Sequence, residues 1–369
     1  MVDNERSEYR PDVVSPPGET LVDVLAEAGM SQAELADRTG RPKKTINEIV
    51  KGKAMLTSET AVQLERVLGV PATFWARREA MFRAHLARVD EEQRLEAHIA
   101  WPSGFPIKEM QQHKWLPAAS GAALVRALLS YFGIASPSAL PVAYQALFEL
   151  RTSTKFEIDK NALAAWLRRG EIIAKEIACD RTDRTGFVAA LREARRLTTF
   201  RPQQFAPRLI KLFRGVGVVV AFVPELPKTR AQGAARWITP SKGLIQLSCR
   251  GKRNDILWFS FFHEAGHLLL HGKRASFIDT ESAAPTDKER EADEFASNTL
   301  LPPRELKEFV AEARFSEDAV VAFAEEVGVH PAIVVGRLKH DNIIEQDRLS
   351  HLIDRVTYED IAAAMKLKG

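Results

Sequence analysis

Apolar residues recur at helical spacing along most of the chain, and one stretch switches to the pattern of strands. From Pro17, residues Leu21, Val24, Leu25 and Ala28 fall three or four apart, and Gly29 stops the run. Ser31 to Glu34 reads as a capping box. The helix it opens carries Ala33, Leu35 and Ala36 and ends at Thr39-Gly40. A new helix starts at Arg41-Pro42, carries Thr45, Ile46, Ile49 and Val50, and ends at Gly52. Short helix, glycine-bearing turn and short helix make a helix-turn-helix. Ser58 caps a fourth helix, and a fifth is predicted from Thr73 to Arg88.

Prolines punctuate residues 90–200, where helices are predicted near 119–132, 138–150, 160–178 and 187–197. Trp101, Trp115 and Trp166 read as core anchors. A helix from Pro202 to Phe213 precedes the strand region. There, 216–223 is a nearly continuous β-branched run, and 233–239 and 243–249 alternate. Trp258 to Leu270 returns to helix, apolar on almost every face. Arg274–Lys288 is polar and acidic and is predicted to be a mobile loop. Helices follow around 304–313, 316–327 and 331–340. The last two are arranged like a helix-turn-helix but have few basic residues, so they are expected to complete the domain rather than touch DNA. The expected fold class is α+β multidomain: an arm over 1–16, an all-α domain over 17–90, a helical linker over 91–200, a small α+β domain over 201–345 and a helical tail over 346–369.

Composition changes this picture little. A hydrophobic share of 45% and a charged share of 27% over 369 residues suit a globular chain with two or three cores. The net charge is only +3, so a nucleic-acid surface has to be local. The two cysteines, Cys179 and Cys249, are far apart and suggest neither a disulfide framework nor a metal site. The charged N-terminus lacks the apolar run of a signal peptide, and no stretch is expected to reach the ~18 apolar residues of a membrane span. A cytoplasmic location with no membrane partner follows as the expectation.

The chemistry gathers between Trp258 and Leu301. His263-Glu264-Ala265-Gly266-His267 places two histidines at i and i+4, on one face of a helix. Both imidazoles can reach one ion, while Glu264 beside them can reach a water. Such a site takes a third protein ligand from another element. Glu289 and Glu291 compete for that role. At about 100° per residue, Glu289 borders the apolar stripe of Ala292, Phe295, Ala296 and Leu300, and Asp293 points the same way. Glu291 falls nearer the opposite side. The reading is therefore a zinc site held by His263, His267 and Glu289, with Asp293 orienting a ligating histidine. Glu264 is the general base. His271, one turn further on, reads as a surface histidine at the helix end ahead of a transition-state donor.

This segment resembles the ImmA/IrrE family of metallopeptidases, in which an HExxH helix is followed by E-x-x-A-[ND]-x-F-A and a Leu-Pro close. Glu289, Ala292, Asp293, Phe295, Ala296, Leu301 and Pro302 carry the match. The resemblance implies a small zincin-like metallopeptidase domain acting on a repressor-type partner. An extended substrate peptide is expected to add to a strand edge beside the zinc.

Between Arg38 and Lys53 stand six basic residues against one acid, Glu48. Arg41, Lys43, Lys44, Asn47 and Lys51 sit where a recognition helix and its flanks meet bases and phosphates. Residues 17–88 also resemble HigA-like antitoxins of the Xre/Cro class, through PGETL, SQAELADRTG, TINEIVKGK and VLGVPATFW. Pro42 departs from the serine common at the start of that family's recognition helix. The expected partners are double-stranded operator DNA and a helix-turn-helix repressor or toxin–antitoxin protein as substrate, with room for a homodimer. The alternative is an antitoxin-like repressor whose zinc site is structural or ligand-sensing and does not cleave.

Overall fold

The computed structural model describes residues 14–145, 158–271, 276–280 and 286–366. The arm therefore lies almost wholly outside the described residues, as do the end of the predicted 138–150 helix and part of the predicted loop. The chain divides into two compact units, Met1–Ile99 and Ala100–Gly369.

Among its described residues the first unit has five helices: α1 Pro17–Glu27, α2 Gln32–Thr39, α3 Lys43–Val50, α4 Ser58–Leu68 and α5 Ala72–Glu96. Leu21, Leu25, Leu35, Ile46, Ile49, Leu64 and Trp75 form its core, one stripe from each helix. Ser31 Oγ accepts the Glu34 amide, which starts α2. Gly40, at φ 67°, ends α2 in the left-handed conformation and turns the chain into α3. The fourth helix is capped by Thr57 and not by Ser58, because Thr57 holds the extended backbone from which its hydroxyl reaches the Thr60 amide. Helix α5 continues well past Arg88, so the unit closes at Ile99 rather than at residue 90.

The second unit is built on a mixed four-stranded sheet. Its strands are β1 Val218–Phe222, β2 Ala231–Thr239, β3 Lys242–Leu247 and β4 Ser276–Thr280, in the order β1-β3-β2-β4. β1 and β3 are parallel; β2 pairs antiparallel with both β3 and β4. β4 arises inside the segment predicted to be a loop.

Helices cover both faces of the sheet. Val219, Ala221, Val223 and Leu244 join one core with Leu128 and Phe132 of α7 (Gly121–Phe132) and Leu163 and Trp166 of α9 (Lys160–Glu176). Two short helices, α6 Ile107–Gln112 and α8 Leu140–Ala143, flank α7. Val218, Val220, Phe222 and Ile245 join the other core. It includes α10 (Arg184–Arg196), α11 (Pro202–Arg214), α12 (Asn254–Leu270) and α13 (Asp287–Leu300). Burial on both sides is why 218–223 is apolar throughout instead of alternating. The linker of 91–200 is thus one wall of the sheet domain, and the chain does not divide at 200/201. The tail does not stand apart either: α17 (Tyr358–Lys366) follows α14 (Pro303–Ala311), α15 (Glu317–Val327) and α16 (Pro331–His340), and Ile361 lies in the same core. Helices α15 and α16 meet at 112°. Their Val320, Phe323, Val334 and Leu338 are buried in that core, as a pair completing the fold requires.

One expectation fails by composition. Gly121–Ala143 is long and apolar enough to cross a membrane. In the fold it is broken at Gly133, and Leu128, Phe132 and Leu140 pack in the core behind the sheet.

Candidate metal centre

Helix α12 is buried on nearly every side, its own Trp258, Phe261, Phe262 and Ala265 among the buried residues. Its closest neighbour is α13. A Cβ on Gly266 would stand 3.0 Å from the Phe295 ring and 3.4 Å from the Ala292 Cα, so the crossing depends on small residues in both helices. Thr286 Oγ1 accepts the Glu289 amide and fixes where α13 begins. Glu289 then reaches the two histidines across the crossing.

His263 Nε2 lies 3.1 Å from Glu289 Oε2, and His267 Nε2 lies 3.3 Å from the same oxygen. The two Nε2 atoms are 2.9 Å apart. His263 Nδ1 is 2.8 Å from Asp293 Oδ1. An ionised carboxylate only accepts, so Nδ1 donates to Asp293, and with a metal in the cluster the other nitrogen, Nε2, would present its lone pair to it. Burial would raise the Glu289 carboxyl, but hydrogen bonds from His263 and His267 overcome it and hold it down at about 2. Burial lowers the His267 pKa, despite its hydrogen bond to Glu289. The cluster therefore offers two imidazole nitrogens and one ionised carboxylate oxygen, all within 4.8 Å of one another. Two imidazole nitrogens and one carboxylate oxygen are a donor set that suits a metal ion.

Glu264 is fully buried and faces β2. A Cβ at Gly233 would stand 2.4 Å from its Oε1 and 2.7 Å from its Cγ. Only glycine leaves room for this carboxylate beside the strand. The sequence reading missed Gly233, because its role appears only once β2 is set against α12. The next residue back, Gln232, accepts a hydrogen bond from Ser260, one turn before Glu264.

Glu291 points elsewhere, with its carboxylate 3.6 Å from His271 Nδ1. His271 corrects its predicted surface position. Its side chain is 5% exposed, and Nε2 lies 3.1 Å from the Lys288 carbonyl. It ties the end of α12 to the start of α13.

In the first unit, Lys43, Lys44, Asn47 and Lys51 are exposed on and just after α3. Lys44 stands 3.9 Å from Glu48. Arg41 is different: its Nε donates to Gln63 at 2.7 Å and its Nη2 lies 3.1 Å from Glu59. It braces the α2–α3 turn against α4.

Two family models match, one in each unit. Residues 23–75 match the family model described as helix-turn-helix. Residues 225–339 match a peptidase family described as the IrrE N-terminal-like domain. Among solved structures, the chain is similar to an addiction module antidote protein of the HigA family from Coxiella burnetii. The identity is 24%, over 23% of this chain and 92% of that one, with a TM-score of 0.21. It is also similar to the Pseudomonas aeruginosa antitoxin HigA, solved with the higBA promoter. There the identity is 27%, over 24% of this chain and 96% of that one, with a TM-score of 0.22. No curated protein matches.

Proposed function

We propose that the chain is a cytoplasmic transcription regulator that binds operator DNA through its first unit and carries a zinc endopeptidase in its second. The observation that carries this reading is the convergence of His263, His267 and Glu289 on one point, in a chain that also holds a helix-turn-helix. Lys43, Lys44, Asn47 and Lys51 contact the duplex. His263, His267 and Glu289 hold the zinc, and Asp293 keeps His263 in the tautomer that ligates. When bound, zinc polarises a peptide carbonyl and makes water more acidic. Glu264 takes the proton of the attacking water and returns it to the departing amine, so the peptide bond is replaced by a carboxylate and an amine. The substrate is a helix-turn-helix repressor or toxin–antitoxin partner.

The burial of Glu264 favours a second reading, in which the zinc site is structural or ligand-sensing and does not cleave. The test mixes the purified chain with candidate helix-turn-helix repressors, starting with any encoded by an adjacent gene. Cleavage that a chelator abolishes supports the peptidase; zinc retained with no turnover under any inducer supports the alternative.

A further inference from the structure

Charge in the second unit concentrates where the metal centre does not use it. Residues 184–214 contain eight lysines or arginines and one acid, Glu193, in a chain whose net charge is +3. Three of these arginines, Arg192, Arg195 and Arg196, line one cavity of about 370 Å³. The rest of its wall is mainly apolar: Val188 and Leu191 on α10, Leu269 on α12 and Phe295 on α13.

Arg195 is the informative member. Its Nε donates to the Leu300 carbonyl at 3.0 Å, while its Nη2 is buried with no hydrogen-bond partner among the described residues. A buried guanidinium donor left without an acceptor is costly. Arg192 is exposed at the same wall. Arg196 stands 3.3 Å from Glu193 but is itself largely exposed, and neither Glu193 nor Glu305, the acid nearest Arg195 in effect, lines the cavity. Planar guanidinium groups match phosphate oxygens in paired hydrogen bonds. An apolar wall of this size accepts a flat ring attached to that phosphate.

We infer that the cavity between α10, α12 and α13 is a binding site for a nucleoside phosphate, with Arg192, Arg195 and Arg196 on the phosphate and Leu191, Leu269 and Phe295 against the base. The site does not depend on peptidase activity. Its occupant would touch both helices that carry the metal ligands, since Leu269 follows His267 on α12 and Phe295 follows Asp293 on α13. Ligand and metal centre therefore share two rigid walls.

The test is calorimetric titration of the full chain with ADP, GDP, adenosine and inorganic phosphate. At least one nucleotide should bind, adenosine and phosphate each at least tenfold more weakly. Arg192→Glu should weaken that nucleotide tenfold or more while leaving the thermal midpoint and operator binding unchanged. Arg195→Lys, which keeps the charge and loses the fork, should weaken it as well and covers the case in which a reversed charge disturbs α10. Silence with both nucleotides, equal binding of inorganic phosphate, or nucleotide binding unchanged in both variants would overturn the inference. So would a single-stranded oligonucleotide that binds, and is lost in Arg192→Glu, when mononucleotides give no heat. That result would make this surface a nucleic-acid face.

Discussion

Two glutamates two residues apart have opposite assignments, and the difference is a matter of helix phase. Glu289 faces His263 and His267 across the α12–α13 crossing, whereas Glu291 pairs with His271. Glu289→Ala should therefore lower zinc affinity by orders of magnitude, and Glu291→Ala should leave one zinc per chain. Asp293→Ala, which frees His263 to turn, should cost the roughly 10–100-fold of a lost orienting partner. Metal content after dialysis against graded chelator measures all three; loss of zinc with Glu291→Ala and retention with Glu289→Ala would reverse the assignment. The HExxH pair and the phase of the second helix are readable because both depend only on local helical geometry. Gly233 is not readable, because the need for a missing Cβ arises from a strand and a helix far apart in the chain.

Among elements, β2 and α12 set the position of Glu264. Gly233→Ala places a methyl within 2.4 Å of the Glu264 carboxylate, so either the side chain or the strand has to move. Overpacking of this kind costs about 1–3 kcal/mol. The expected outcome is a lower thermal midpoint, zinc still bound through His263, His267 and Glu289, and cleavage reduced. A variant with unchanged midpoint and unchanged cleavage would show that Glu264 is free to sit elsewhere. At this scale the long helices are legible from their apolar spacing, and β1 from its β-branched run. β4 is not: Ser276-Phe277-Ile278-Asp279-Thr280 is too short and mixed to stand out, and its pairing with β2 supplies what its composition lacks. The length of α5 is also hidden, since beyond Val89 its only apolar residue is Leu95 and no stripe marks the helix.

For the whole molecule, the division into two units is the main departure from the sequence reading. The continuous apolar run of β1 demands cover on both faces, and α7 and α9 from the supposed linker provide one of the two layers. The first unit keeps its own core, and its exposed cations on α3 make a separable prediction. Operator binding by the full chain should weaken with salt, and Lys44→Ala should lower the slope of log K against log salt by about 0.9, the counterion release of one phosphate contact. Arg41→Ala, by contrast, should act mainly on stability, because its guanidinium is held by Gln63 and Glu59. A salt slope unchanged in Lys44→Ala would remove that residue from the interface.

The central claim is that Glu264 moves the proton in a peptide cleavage, and one comparison tests it directly. Glu264→Gln is nearly isosteric, keeps the three metal ligands and cannot accept a proton. Wild type and Glu264→Gln, each loaded with zinc, are incubated side by side with candidate helix-turn-helix repressors and inducers, and the cleaved fraction is followed with time. The account predicts equal zinc content and equal operator binding, with cleavage by the variant slower by at least about 10²–10⁴-fold. Equal cleavage rates for the two proteins would contradict it.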